Sequence, residues 1–127
     1  MFDQRLPILG ELERAIMDVT WSRNSVTVRE VVEALAATRA PAYTTVMTVM
    51  NRLVEKGVLR RKPEGQSYRY TATKSKKEFL ERSSRQAVAK FVRYFGDVAI
   101  AQFIDVLDDV DPKKLAELRR QLREGAD

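Results

Sequence analysis

The sequence predicts a mainly α-helical fold in which three helices and a small β-hairpin precede a second group of helices. Three observations support this prediction. Apolar residues recur at helical spacing over most of the 127 residues. Two β-prone runs flank a Pro/Gly turn, which indicates a hairpin between the two groups of helices. The apolar runs are all shorter than the ~20 residues of a membrane-spanning helix, so we expect a cytoplasmic protein without membrane insertion.

Composition excludes several classes of function before any motif is considered. The chain has no cysteine and no histidine, which excludes disulfides, thiolate chemistry, imidazole bases and most transition-metal sites. The five glycines, at positions 10, 57, 65, 96 and 125, cannot form a GxGxxG or GxxxxGK phosphate loop. An enzyme that uses carboxylates or lysines remains compatible with this composition, but we expect a binding protein and not an enzyme, with no cofactor and no metal.

The positive charge is concentrated in the central third of the chain. The net charge is +5, and residues 39–77 alone carry ten basic and two acidic side chains. A focused basic stretch is typical of nucleic-acid binding, because Lys and Arg neutralise phosphates. A solvated basic surface is the alternative that charge alone leaves open.

The first three helices are predicted from apolar spacing and from their end signals. Residues 9–22 form the first helix, and we expect Trp21 at its end to be buried against the next helix. Residues 27–37 form the second helix, which opens on an N-cap threonine. The third helix runs from residue 42 or 43 to residue 56, and Gly57 suits the left-handed position after its end.

The hairpin and three further helices follow. Residues 58–62 and 67–72 are the two β-prone runs, and residues 63–66 are the turn between them. The later helices are predicted over residues 76–95 and 97–108, and from an Asp111 N-cap followed by Pro112 onward. We divide the chain into residues 1–74 and residues 75–127.

The order helix, helix, turn, helix, hairpin is that of a winged helix-turn-helix, a DNA-binding architecture. Its recognition helix needs an apolar face for packing and an outer face of short hydrogen-bonding side chains. The candidates for base contacts on the third helix are Thr44, Thr45, Thr48 and Asn51. The candidates for DNA backbone contacts are Tyr43, Arg52, Arg60, Arg61, Lys62 and Arg69. The alternative for the threonines is a plain solvent-exposed helix face, and the alternative for the basic hairpin residues is a role in solubility. For Tyr68 and Tyr70 we favour packing across the strands over stacking on bases.

Three stretches of the sequence carry a resemblance to a known family. They are Leu9-Gly10-Glu11-Leu12-Glu13 with Trp21, Tyr43-Thr44-Thr45-Val46 leading to Asn51-Arg52-Leu53 and Lys56-Gly57, and Gly65 to Ala72 with Tyr68-Arg69-Tyr70. Over nearly its whole length the chain resembles the penicillinase repressor family (BlaI/MecI type). The resemblance implies a homodimeric repressor on a palindromic operator upstream of β-lactam-resistance genes, with base contacts at Thr45 and Thr48. Met47 departs from members that carry a basic residue at that position.

The resemblance also implies how the C-terminal region works. It implies dimerisation through exchanged C-terminal helices, and inactivation by a membrane sensor protease system that cleaves an Asn-Phe bond. The matching pair here is Gln102-Phe103. The apolar stripes of residues 76–124 lack a partner within so short a segment, which independently favours a dimer. The candidate dimerisation residues are Phe79, Val88, Phe91, Val92, Phe95, Phe103, Ile104, Leu107, Leu115, Leu118 and Leu122.

Two other functions remain open at this point. One is a winged-helix regulator that binds a small aromatic molecule between its dimerisation helices, which thermal-shift screening would separate from proteolytic control. The other is a winged-helix module that contacts protein, although the basic central segment and the threonine face argue against it. The family's copper-responsive members carry a C-terminal cysteine metal site, and the lack of cysteine excludes that branch.

Overall fold

The computed structural model describes residues 9–125 and confirms a mainly α-helical fold with one small sheet. The elements in chain order are α1 Glu11–Arg23, β1 Ser25–Val26, α2 Val28–Leu35, α3 Tyr43–Glu55, β2 Leu59–Glu64, β3 Ser67–Ala72, α4 Lys76–Phe95, α5 Asp97–Leu107 and α6 Pro112–Gly125. All six predicted helices and both strands of the predicted hairpin are present, and β1 is an additional strand.

The chain forms two compact units, Met1–Gln86 and Ala87–Asp127. The first unit contains α1 to α3, the sheet and the first half of α4. The second unit contains the rest of α4 together with α5 and α6. This division falls inside α4, whereas the predicted domain boundary precedes that helix, so the predicted boundary stays a prediction.

The helices of the first unit begin and end at the signals found in the sequence. The Gly10 N–H donates to Glu13 Oε1 at 3.1 Å, which satisfies a free donor at the start of α1. Thr27 Oγ1 accepts from the Glu30 N–H at 3.1 Å and caps α2. Gly57 follows the C-cap of α3 and has a φ of +78°, a conformation that glycine adopts without steric cost.

The core of the first unit lies between the three helices and one face of the sheet. It consists of Ile16, Met17, Val26, Val28, Val31, Leu35, Val46, Met50, Leu53, Leu59 and Tyr70. On α3, Val46, Met50 and Leu53 are 0% exposed, as the helical spacing predicts. Because this stripe faces the core, the opposite face of α3 is left to solvent.

The sheet is antiparallel with the strand order β1-β3-β2, so β3 is central and the hairpin strand β2 is an edge. Glu64 pairs with Ser67, which leaves a two-residue turn that starts at Gly65 with a φ of +62°. Hairpin turns of this length favour a positive φ at the first position, which glycine supplies. Pro63 belongs to β2, although the sequence predicts it in the turn, because an edge strand tolerates a missing N–H.

Trp21 packs against the start of α4. Its ring centroid lies 5.5 Å from that of Phe79, and its indole Nε1 donates to the Lys74 carbonyl at 3.1 Å. These contacts differ from the predicted packing against α2. Phe79 therefore contributes to the first unit, and the dimerisation prediction depends on the other residues of that set.

The second unit leaves most of its apolar side chains in contact with solvent. Among residues 87–125, Ala99 alone is fully buried. An aromatic cluster forms where the Phe91 centroid lies 4.7 Å from that of Phe95 and 5.7 Å from that of Phe103. The exposed apolar side chains are Val88, Tyr94, Phe95, Val98, Ile100, Phe103, Ile104, Val106, Leu107, Leu118 and Leu122. Over residues 9–125, no helix combines the length and apolarity needed to cross a membrane.

Candidate nucleic-acid interface

The outer face of α3 presents three exposed threonines, Thr44, Thr45 and Thr48, in the first two turns of the helix. The Thr48 hydroxyl donates to the Thr44 carbonyl at 2.9 Å, so its oxygen remains an acceptor. On the opposite side of the helix, Val46 and Met50 are buried and fix α3 to the core. The predicted base-contacting threonines therefore share one accessible face that is fixed to the core.

The hairpin separates its basic side chains onto two faces. Arg61 is opposite Tyr70 in the sheet register, whereas Arg60 is opposite Thr71. Since side chains alternate along a strand, Arg61 shares the face of buried Tyr70, and Arg60 and Lys62 share the other face. Both Arg60 and Lys62 are exposed, and neither forms an ion pair with any residue between 9 and 125.

Asn51 lies at the centre of a polar contact between α3 and the hairpin. Its Oδ1 accepts from Arg61 Nη1 at 2.8 Å and from the Tyr70 hydroxyl at 2.8 Å. The Arg61 guanidinium carbon also lies 4.2 Å from the ring centroid of Tyr68. An amide oxygen has two lone pairs, so both are occupied. The predicted base contact of Asn51 conflicts with this arrangement, because the bidentate contact of an asparagine with adenine needs the amide oxygen as a free acceptor.

Arg69 is held by residues of the first unit. Its Nε donates to both Glu64 carboxylate oxygens at 3.0 and 3.1 Å, its Nη2 to Glu30 at 3.2 Å and its Nη1 to Ser25 Oγ at 3.3 Å. The hydrogen bond with Glu64 is the main cause that raises the pKa of the guanidinium. Two carboxylates offset the charge of Arg69. These surroundings favour a structural role for Arg69, in which it joins β3 to α2, over the predicted contact with the DNA backbone.

Half of the basic side chains in the central segment form intramolecular ion pairs. Of the ten basic side chains in residues 39–77, five pair with carboxylates: Arg39 with Glu11, Lys56 with Glu13, Arg69 with Glu64 and Glu30, Lys76 with Asp18, and Lys77 with Glu81. The five without an ion pair to the described residues are Arg52, Arg60, Arg61, Lys62 and Lys74. Four of these lie on α3 and β2, so the uncompensated charge is concentrated on these two neighbouring elements.

A groove of about 650 Å³ lies between the side of α3 that carries Tyr43, Met47 and Asn51, the start of α2 and the hairpin. Its lining residues are Thr27, Val28, Arg29, Tyr43, Met47, Asn51, Gln66, Ser67, Tyr68 and Tyr70. Tyr43 and Tyr68 are 47% and 39% exposed. The predicted backbone contact of Tyr43 is therefore sterically accessible.

Besides the α2 N-cap Thr27 and the hairpin tyrosines Tyr68 and Tyr70, three polar residues of this groove were not among the predicted site residues: Arg29, Gln66 and Ser67. Arg29 follows the N-cap of α2, where free backbone N–H groups favour anions. Because this N-cap can be recognised in the sequence, the position of Arg29 near it could have marked Arg29 as a candidate for a contact with an anion. Gln66 and Ser67 carry no comparable signal, because only the folded hairpin brings them to the groove.

Three helices, a three-stranded sheet with a hairpin, and a polar-faced third helix held by the core define a winged-helix protein of the DNA-binding class. The chain belongs to the penicillinase repressor family, whose family model matches residues 9–124. The family predicted from the sequence is thereby confirmed.

Individual relatives agree with this assignment. The transcriptional regulator BlaI of Mycobacterium tuberculosis is 46% identical over 77 residues, which are 60% of this chain and only 56% of that protein. The penicillinase repressor of Bacillus licheniformis is 25% identical over 121 residues, 95% of this chain and 94% of that protein. The solution structure of the DNA-binding domain of the repressor BlaI matches with a TM-score of 0.51 and 28% identity, over 58% of this chain and 90% of that chain. The winged-helix fold is thus confirmed.

Proposed function

We propose that this chain is a transcriptional repressor that binds double-stranded DNA through α3 and the hairpin. The observation that carries the proposal is the exposed threonine face of α3 together with exposed cations on β2 that have no ion pair to the described residues. Phosphate contacts supply affinity and base-edge contacts supply specificity, and this surface offers both kinds of group. The names of the relatives, which are transcriptional regulators and a penicillinase repressor, support the same conclusion.

Each group has a distinct task in this proposal. Thr44, Thr45 and Thr48 contact base edges in the major groove, where a hydroxyl meets polar base atoms and a methyl group meets the thymine methyl. Arg60 and Lys62 contact phosphates, since they are exposed and without ion pairs to the described part of the chain.

We further propose that the repressor is a homodimer on a palindromic operator. One recognition helix contacts a single half-site, and two-fold symmetric proteins pair with two-fold symmetric operators. The apolar side chains of α5 and α6 support this step, because a second copy would remove them from water. The dimerisation set, apart from Phe79, lies on α4 to α6 of the second unit.

By the same resemblance, we propose control of β-lactam-resistance genes and release through a sensor protease at Gln102-Phe103. Both residues lie within α5, and the ring of Phe103 contacts that of Phe91. A peptide bond inside a helix becomes accessible to a protease through local unfolding. Cleavage at this bond therefore depends on the opening of α5.

A binding experiment tests the DNA proposal. The wild-type protein selects duplexes from a random-sequence pool, and fluorescence anisotropy then compares the most enriched duplex with its scrambled version at near-physiological salt. We expect affinities that differ by about 10³ or more. Equal weak binding to both duplexes would mean attraction to phosphate alone. Failure to bind any duplex would favour a module that contacts protein.

Replacing Thr48 with alanine is expected to lower affinity for the selected duplex by roughly 1–3 kcal/mol and to leave binding to the scrambled duplex unchanged. Thr48→Ser and Thr48→Val separate the hydroxyl from the methyl contribution. Ser84→Ala on α4 is the matched control outside the candidate interface. An equal loss on both duplexes would contradict a base contact by Thr48.

Replacing Arg60 and Lys62 with alanine is expected to weaken binding to all duplexes. The slope of log K against log salt should become less steep by about 0.9 for each phosphate that the variant no longer neutralises. Titrations at several salt concentrations measure the slope. Lys77→Ala is the control, since Lys77 lies in the same basic segment but pairs with Glu81. An unchanged slope in the double variant would show that these two side chains do not contact phosphate.

A further inference from the structure

We propose that Asn51 and Arg61 are positioning residues. With Tyr70 they form a joint between α3 and the hairpin, and they act on DNA by setting the orientation of the hairpin, not by contacting the DNA. This inference rests on the proposed DNA-binding function and assigns two of the predicted contact residues a different task.

The joint connects three elements through one oxygen atom. Asn51 comes from α3, Arg61 from β2 and Tyr70 from β3, and both hydrogen bonds to Asn51 Oδ1 are 2.8 Å long. Tyr70 is 1% exposed and belongs to the core, so its hydroxyl is a fixed donor. That donor fixes the orientation of the Asn51 amide, and the amide in turn fixes Arg61.

Arg61 is restrained from a second direction as well. Its guanidinium lies over the ring of Tyr68 at 4.2 Å, a distance at which a cation and an aromatic face attract each other. A guanidinium held between an amide oxygen and an aromatic ring has a defined conformation. These two interactions keep the Arg61 guanidinium beside Asn51 and Tyr68, and leaving that place would break both of them, whereas neighbouring Arg60 has no such partner among the described residues.

The joint explains how a two-stranded hairpin keeps its position. An isolated hairpin is only marginally stable, and the tip of this one extends beyond its short pairing with β1, which is limited to Ser25 and Val26. Hydrogen bonds from α3 hold the middle of the hairpin at Arg61 and Tyr70. Arg60 and Lys62 flank Arg61 on the same strand, so the joint determines where their charges lie.

Hydrogen exchange in the absence of DNA tests the joint directly. We expect the amides of β2 and β3 to exchange about ten-fold faster in Asn51→Leu and in Arg61→Ala than in the wild type. Asn51→Asp keeps the accepting oxygens and should retain protection, and Arg60→Ala is the matched control on the opposite face. Uniform protection in all variants would overturn the proposal. If the amides of α1 and α2 also exchange faster, these residues contribute to the stability of the whole unit and do not specifically position the hairpin. That result would also overturn the proposal.

Binding to the selected duplex separates positioning from contact. We expect Asn51→Leu and Arg61→Ala each to weaken binding about ten-fold, and the double variant to bind no worse than either single one. If the two side chains contacted DNA independently, their effects would multiply and the double variant would bind about 100-fold more weakly than the wild type. That result would overturn the proposal. If the wild type fails to distinguish any duplex, the proposed function fails while the exchange result still decides the joint. If the wild type distinguishes duplexes but hydrogen exchange is the same in all variants, the proposed joint is wrong and the proposed function stands.

Discussion

Replacing Leu118 with aspartate is expected to lower affinity for a palindromic duplex about 10²–10⁴-fold and to leave affinity for a single half-site unchanged. Leu118 lies on α6 and is 40% exposed, in line with Leu115 and Leu122. A carboxylate in an apolar interface would lose its hydration and separate the two copies. Two linked DNA-binding domains gain this factor over one, because the second binds at a high effective concentration.

Ala116→Asp is the control for this experiment. Ala116 is exposed on the same helix, two positions before Leu118, and therefore points to the opposite side. Sedimentation equilibrium measures the mass of each variant, circular dichroism checks its helix content, and anisotropy compares the palindrome with the half-site. If the Leu118→Asp variant keeps the wild-type mass and affinity, the face formed by Leu115, Leu118 and Leu122 is not the dimer interface.

Replacing Leu53 with alanine is expected to lower the free energy of unfolding of the first unit by about 2–5 kcal/mol. Leu53 is 0% exposed and ends the buried stripe of α3. The substitution removes apolar packing and leaves a cavity under the helix that carries the threonine face. Trp21 is the one tryptophan of the chain and lies in this unit, so its fluorescence in urea reports the transition.

Glu55→Ala provides the comparison. Glu55 is exposed at the last position of α3, and a surface change of this kind is expected to shift the free energy of unfolding by no more than about 0.5 kcal/mol. A Leu53→Ala variant that unfolds at the wild-type urea concentration would contradict the packing of α3 described above.

Much of the fold could be predicted from local signals. The predicted helix over residues 76–95 agrees with α4 at both ends, because an apolar stripe and Gly96 mark it in the sequence. β1 could not be predicted, since Ser25 and Val26 are too few to show a periodic pattern. That strand exists because β3 supplies partners for it, and β3 lies more than 40 positions away.

The candidate interface was predicted as a set of residues but not as an arrangement. Arg60, Arg61, Lys62 and Arg69 form one class of cations in the sequence, and a period of two could have separated Arg61 from its neighbours. Their partners could not be foreseen. Glu30 lies 39 positions from Arg69, and Asn51 lies 19 positions from Tyr70. Only tertiary packing brings these groups together and decides which cation stays free.

The ion pairs within the basic segment bear on how such a repressor would find its target. A DNA-binding protein reaches its operator after many encounters with unrelated sequence, and each encounter lasts longer as more phosphates are neutralised. Pairing of Arg39, Lys56, Lys76 and Lys77 with carboxylates partly offsets four charges that would prolong these encounters. Each DNA-binding unit would therefore leave random sequence quickly. Residence on the operator would come from base contacts and from binding by two linked units.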